Sequence, residues 1–333
     1  MTPLLAVRDL GVEYPTGRGR LRALDGVAFD LGAGESLGVV GESGSGKSTL
    51  ARAILRLVPA TRGSVSWLGC DLLRLPQPEL RRLRRDLAVV FQDPMASLDP
   101  RFTLATSVAE PLIVHSPQLS RDAQRREVEA MLERVGLAPS LANRYPHELS
   151  GGQCQRAAIA RAMITRPKLV VCDEPLSALD VSVQAQIVNL LREFQREQGT
   201  ALLLISHNLA VVRRLCTRVL VLYLGRIMEL GPREPLYAAP RHPYTQLLLD
   251  CLPSLGRKRP PSITGPGAGE PASPFDPPSG CVFRTRCRHA LERCAAEVPA
   301  LVADSPGHAV ACWRSGEELA GIPDGITVTN ARR

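Results

Sequence analysis

The segment from Ser36 to Thr49, SLGVVGESGSGKST, constrains this chain more than any other. An apolar strand runs into a glycine-rich loop and then into a helix. Gly41, Gly46, Lys47 and Ser48 stand in the fixed places of the pattern G-x-x-x-x-G-K-[ST]. Glycines let consecutive backbone N–H groups turn inward around phosphate oxygens, and the helix N-terminus adds its partial positive charge. Lys47 would reach the β- and γ-phosphates, and the Ser48 hydroxyl would take one position on Mg²⁺. Gly41, Glu42, Ser43, Gly44, Ser45, Gly46, Lys47, Ser48 and Thr49 are therefore the candidate phosphate cradle.

Further along, the chain alternates short apolar runs with helical patterns. Strands are expected at 4–14, 27–31, 36–40, 64–67, 87–91, 169–174, 201–205, 218–223 and 226–230. From 102 to 165 the pattern is helical, with Arg121–Val135 amphipathic and Gly136 as its stop. These features predict an α/β core with a mostly parallel sheet, an antiparallel β segment near the N-terminus and a helical subdomain over about residues 100–165. Gln92 leaves an apolar strand, where it would touch Mg²⁺ or the attacking water, or serve as an ordinary loop residue. Leu149-Ser150-Gly151-Gly152-Gln153 opens a strong helix. It is a second ready anion site, or a plain N-cap. Two such sites in one domain suggest one shared between two subunits. Asp173-Glu174 ends a buried-type strand, where Asp173 would hold Mg²⁺ and Glu174 would polarise the attacking water. His207 follows a strand of the same kind, at the edge where such sheets place ligands. Tyr14 is a lone aromatic at a strand end, able to stack on an adenine ring or simply to pack.

At 333 residues there is ample length for a sizeable core. No apolar run approaches the ~18 residues of a membrane-spanning helix. The N-terminus has no basic start followed by an apolar core and cleavage site, so secretion is not expected. Nine scattered cysteines suit a reducing cytosol. The net charge of +8 is modest. Its densest cluster, Arg81–Arg85, lacks interleaved aromatics, so no nucleic-acid partner is expected. Residues 1–252 read as one domain, 253–280 as a Pro/Gly-rich linker, 281–314 as a small four-cysteine module and 315–333 as a polar tail. Cys281, Cys287, Cys294 and Cys312 match neither zinc-ribbon nor ferredoxin spacing, yet four thiols so concentrated suggest a soft-metal site. Cys70, Cys154, Cys172, Cys216 and Cys251 are expected in the core.

Gly41–Ser48, Gln92, Leu149–Gln153, Asp173-Glu174, Ser177–Asp180 and His207 come in the order of an ABC-transporter ATPase, a P-loop NTPase, and the chain resembles that family over roughly 4–250. The resemblance implies ATP and Mg²⁺ as cofactors and a head-to-tail dimer. Each nucleotide would lie between one subunit's Gly41–Thr49 and Tyr14 and its partner's Ser150, Gly151, Gly152 and Gln153. Ser48, Gln92 and Asp173 would serve the Mg²⁺. Glu174, His207, Gln92 and Lys47 would carry catalysis, with His207 on the γ-phosphate.

FQDPMASLDPR at 91–101, YAAPRHPYT at 237–245, GCVFRTRCR at 280–288 and HAVACW at 308–313 resemble the oligopeptide/dipeptide/nickel importer branch. The intact Leu-Ser-Gly-Gly-Gln is similar to its second ATPase subunit. Cys154 and Asp99 are small departures outside the catalytic roles. The branch implies a peripheral translocase on the cytoplasmic face of the inner membrane, coupling ATP hydrolysis to uptake of peptides or a related solute. Its partners would be two transmembrane permease subunits, a second and different ATPase subunit and, indirectly, an extracytoplasmic solute-binding protein. Coupling would run through the groove beside Gln92 and the helical subdomain, where a permease helix would dock. The branch also favours a four-iron–four-sulfur cluster on the four C-terminal cysteines, with zinc or reduced packed thiols as alternatives. The rival reading is a soluble ABC-type ATPase acting on the ribosome or DNA.

Overall fold

The computed structural model describes residues 2–17, 19–177, 179–251 and 272–315. The expected linker up to residue 271 and the expected tail from residue 316 lie outside them. The strands are β1 (Leu5–Thr16), β2 (Gly19–Leu31), β3 (Ser36–Val40), β4 (Arg62–Trp67), β5 (Cys70–Asp71), β6 (Leu87–Val90), β7 (Leu169–Asp173), β8 (Ala201–Ile205), β9 (Arg218–Tyr223), β10 (Arg226–Pro232), β11 (Val302–Ser305) and β12 (His308–Val310). They form two sheets, an antiparallel one in the order β2-β1-β4-β5 and a larger one in the order β11-β12-β10-β9-β3-β8-β7-β6.

In the larger sheet β9, β3, β8, β7 and β6 run parallel. Every residue of β3, β7 and β8 is buried, which is why these segments read as unbroken apolar runs rather than as alternation. The two faces still separate by the period of two. Leu37, Val39, Val171, Leu203 and Ile205 face a core shared with the antiparallel sheet and the helix Lys47–Ile54. Val170, Cys172, Leu202 and Leu204 face a second core with the helices Gly151–Met163, Val181–Gln198 and Leu209–Leu215.

The helical stretch resolves into Leu104–His115, Arg121–Arg134 and Gly151–Met163, the first two capped by the side chains of Thr103 and Ser120. Met131, Leu132, Val135, Leu137 and Ile159 knit this block into the second core.

Two expectations need correction, and one pairing was not expected at all. The first two strands are longer than expected, pairing out to Thr16 opposite Gly19. The Arg-rich start of β2 hides its strand character because ion pairs from Arg20 and Arg22 to Glu13 hold it in place of apolar alternation. Cys70 and Cys251 are exposed, whereas Cys154, Cys172 and Cys216 are buried as expected. Cys70 opens the two-residue edge strand β5, opposite Trp67, where its side chain is left exposed. Finally, 302–310 forms the hairpin β11–β12, which extends the main sheet through β10.

That junction is polar. Glu229 on β10 is fully buried and accepts from His308 Nε2 at 2.8 Å and from the backbone N–H groups of Arg241 and His242 at 3.0 Å each. Burial alone would raise the Glu229 carboxyl, but these donors hold it below its ordinary value. Burial also pushes the neighbouring His242 down to about 4. Glu229→Ala would strand all three donors, so it should cost about 3 kcal/mol. Thermal unfolding checks this, and a Tm equal to the wild type's would show that the hairpin does not depend on the pair.

Candidate functional site

β3, β8, β7 and β6 are neighbours with one direction, so their C-terminal ends meet at one edge of the sheet. β3 delivers the glycine-rich loop there, β7 delivers Asp173 and Glu174, β8 delivers His207 and β6 delivers Gln92. The cleft they border has a volume of ≈ 480 Å³, and its lining includes Tyr14, Ser43, Lys47, Ser48, Gln92, Glu174 and His207. That volume suits a nucleotide-sized ligand.

The loop needs glycine at both fixed places. Gly46 has φ +104°, and a side chain there would stand 2.5 Å from the Ala23 carbonyl oxygen. A Cβ at Gly41 would lie 2.1 Å from the Leu222 carbonyl oxygen. Lys47 bends back over the loop, donating to the carbonyls of Gly41 at 2.9 Å and Glu42 at 2.8 Å. Burial lowers its pKa, while Glu174, Asp173 and Glu42 pull it back up and favour the ammonium.

The Ser48 hydroxyl donates to Asp173 Oδ1 at 2.8 Å, which places two hard oxygen donors side by side. This is the donor chemistry that Mg²⁺ takes when several of its ligands are water and phosphate. Burial raises the Asp173 pKa against the Ser48 hydrogen bond. A cation there would relieve a carboxylate that is costly to keep charged.

Glu174 is the hub. Gln92 Nε2 donates to its Oε2 at 3.3 Å, and His207 Nδ1 lies 3.1 Å from the same oxygen. Its backbone has φ +47°, a left-handed conformation that a non-glycine residue adopts only when held. The bond from its N–H to the Ile205 carbonyl, at 2.9 Å, does the holding. The carboxylate is thereby aimed into the cleft, away from the strand direction. His207 is 60 % exposed and opens the cleft to solvent.

Ser150–Gln153 lies outside this cleft lining. Ser150 Oγ accepts from the Gln153 N–H at 3.3 Å, while Gln153 Oε1 accepts from the Ser150 N–H at 2.8 Å, a capping box at an accessible helix start. The four C-terminal cysteines converge on a separate cavity, which Cys281, Cys287, Cys294 and Cys312 line together with His242, Phe283 and Trp313. Among the described residues no group of three or more His, Cys, Asp or Glu is placed to hold a metal ion. Burial raises the thiols of Cys281, to about 11, and of Cys287 and Cys312.

Sequence reasoning missed several residues here. Leu21, Arg22 and Ala23 of β2, Leu224 and Pro274 also line the cleft. Arg286 and Tyr244 hold Glu42 from behind the loop. These contacts span up to 244 residues, so no local spacing announces them.

Comparison with known proteins agrees with this geometry. Residues 24–177 match the ABC transporter family, and 228–294 match the oligopeptide/dipeptide transporter C-terminal region. The oligopeptide transport ATP-binding protein OppF of Salmonella typhimurium is 52 % identical over 93 % of this chain and 96 % of its own length. A putative peptide import ATP-binding protein of Brucella ovis is 50 % identical over 94 % of this chain and 98 % of its own. Among solved structures, the dimeric ATP-binding cassette MJ0796 in a post-hydrolysis state with ADP and Pi superposes with a TM-score of 0.65 at 31 % identity, covering 69 % of this chain and 99 % of that one. The cassette cbiO1 from Clostridium perfringens gives 0.63 at 28 % identity, covering 72 % and 92 %.

Proposed function

The chain belongs to the ABC-transporter ATP-binding proteins, among those of oligopeptide transport, and from that premise we propose that it is the ATP-hydrolysing subunit of a peptide importer. The observation that carries this reading is the meeting of Lys47, Ser48, Asp173, Glu174, Gln92 and His207 at one sheet edge. The loop N–H groups and Lys47 would bind the phosphates, exchanging the loop's own carbonyls for phosphate oxygens, and Tyr14 would stack on the base. Mg²⁺, when bound, neutralises charge on the phosphate oxygens, and Ser48 and Asp173, with Gln92, would hold it. Glu174 would accept the proton of the water that attacks the γ-phosphorus, giving ADP and phosphate. Gln92 and His207 would orient that carboxylate, and His207 would also contact the γ-phosphate.

Ser150–Gln153, remote from its own subunit's cleft and accessible, would complete the cleft of a partner ATPase in a head-to-tail dimer. The relatives' names support peptides as the solute. No helix among the described residues is long and apolar enough to cross a membrane, which suits a peripheral subunit under two permease chains. Exposed Met95 and Phe102, beside Gln92 and on the way into the helical block, offer an apolar contact for a permease helix.

For the cysteine cavity we propose a four-iron–four-sulfur cluster, with zinc the alternative. Four thiols lining one cavity are the ligand set that such a cluster takes. Cys281, Cys287, Cys294 and Cys312 would be its ligands and would lose their protons on loading.

Glu174→Gln should leave ATP binding intact, nearly abolish turnover and trap a closed dimer; normal turnover would remove Glu174 as the base. Purified protein should carry iron, lost when the four cysteines are changed to serine, as metal analysis and visible absorbance will show. Zinc instead, or neither metal, would overturn the cluster. Affinity purification from detergent-solubilised membranes should recover two permease chains and a second ATPase, whereas ribosomal or DNA-repair proteins would overturn the transport role.

A further inference from the structure

Arg286 lies inside the cysteine module, yet its guanidinium reaches the phosphate loop. Its side chain is 9 % exposed and makes a two-pronged pair with Glu42, Nη1 to Oε2 at 2.7 Å and Nη2 to Oε1 at 2.9 Å. The rings of Tyr223 and Phe283, each centred 5.8 Å from its Cζ, seat the guanidinium. Glu42 is gripped twice more. Its N–H donates to the Tyr244 hydroxyl oxygen at 2.8 Å, and its carbonyl accepts from Lys47 Nζ at 2.8 Å.

Held at its side chain and its N–H, Glu42 keeps its place when Lys47 turns from its carbonyl to phosphate oxygens. Glu42 also follows Gly41 directly at the mouth of the phosphate cradle, where an unpaired carboxylate would repel a triphosphate. Arg286 answers both needs, because its planar fork fixes direction while its charge balances Glu42.

We propose that Arg286 is a positioning residue for the nucleotide site, through which the C-terminal module sets nucleotide affinity by clamping Glu42 and hence the phosphate loop. This rests on the reading of Gly41–Thr49 as that site.

The test uses the full chain. The Kd for Mg-ATP is measured by equilibrium dialysis, and KM and kcat are measured in the assembled transporter. Arg286→Gln should raise Kd and KM about tenfold while kcat at saturating ATP changes less than about twofold. Arg286→Lys, a charge without the fork, should recover only part of the loss. The double variant Arg286→Gln/Glu42→Gln should bind no worse than Arg286→Gln alone, because both changes break one interaction. A merely structural role would lower the active fraction, and so kcat, at unchanged KM. That result, unchanged affinity in Arg286→Gln, or additive losses in the double variant would overturn the proposal. Should Arg286→Gln not fold, Glu42→Gln carries the test, with a severalfold higher Kd expected and wild-type affinity overturning the clamp. Lys47→Ala in the same assay separates the two levels. If it leaves affinity unchanged, the site itself is misplaced; if it abolishes binding while Arg286→Gln does not weaken it, only the clamp fails.

Discussion

Four parallel strands set side by side, β3, β8, β7 and β6, are the constraint from which the rest of the molecule follows. Parallel neighbours cannot be joined by tight hairpins, so each connection must cross the sheet as a helix or a longer excursion. The helix Lys47–Ile54, the helical block and the helix Val181–Gln198 are such crossings. Their apolar sides cover both faces of the sheet, and their arrival leaves all four strand ends at one edge. Chemistry-bearing residues placed just after those ends therefore meet without any long side chain reaching for another. The hydrogen bond between Ser48 and Asp173, 125 residues apart, is a direct product of that register.

Charge balance at this edge explains why the residues are poised rather than collapsed. Lys47 is buried among Glu42, Asp173 and Glu174, which favour its charged form against the pull of burial. Two of its donors turn to the loop carbonyls of Gly41 and Glu42, partners that phosphate oxygens would replace at little cost in reorganisation. Glu174 carries a left-handed backbone, which costs a non-glycine residue energy. The backbone bond from β8 and the side chains of Gln92 and His207 hold it in place. Contacts from β6, from the end of β7 and from the turn after β8 thus converge on one carboxylate.

The cleft is also open on one side, and the accessible capping box at Ser150 lies elsewhere on the same chain. That helix start spends its serine and glutamine on each other. Behind the loop the molecule is closed instead. The β11–β12 hairpin, the buried Glu229–His308 pair and the Arg286–Glu42 pair tie the C-terminal module to the main sheet and the phosphate loop together.

How much of this was legible in advance depended on how local each signal is. The glycine pattern at Gly41–Ser48, the acids ending Leu169–Glu174 and the buried runs at 36–40 and 201–205 carry their own conformational demands. Left-handed backbone, two-sided burial and strand length are written in adjacent residues, so the sequence alone determined the α/β core and nominated Lys47, Ser48, Asp173 and Glu174. The long hairpin was less visible, because Arg20 and Arg22 pair with Glu13 across strands and not along one. Only the tertiary structure decided that Gln92 and His207 share one oxygen of Glu174, that four thiols face one cavity, and that Arg286 grips Glu42. These are pairings between side chains set by strand order and chain return. An isolated residue bears no mark of a partner that folding will bring to it from 33 or 244 residues away.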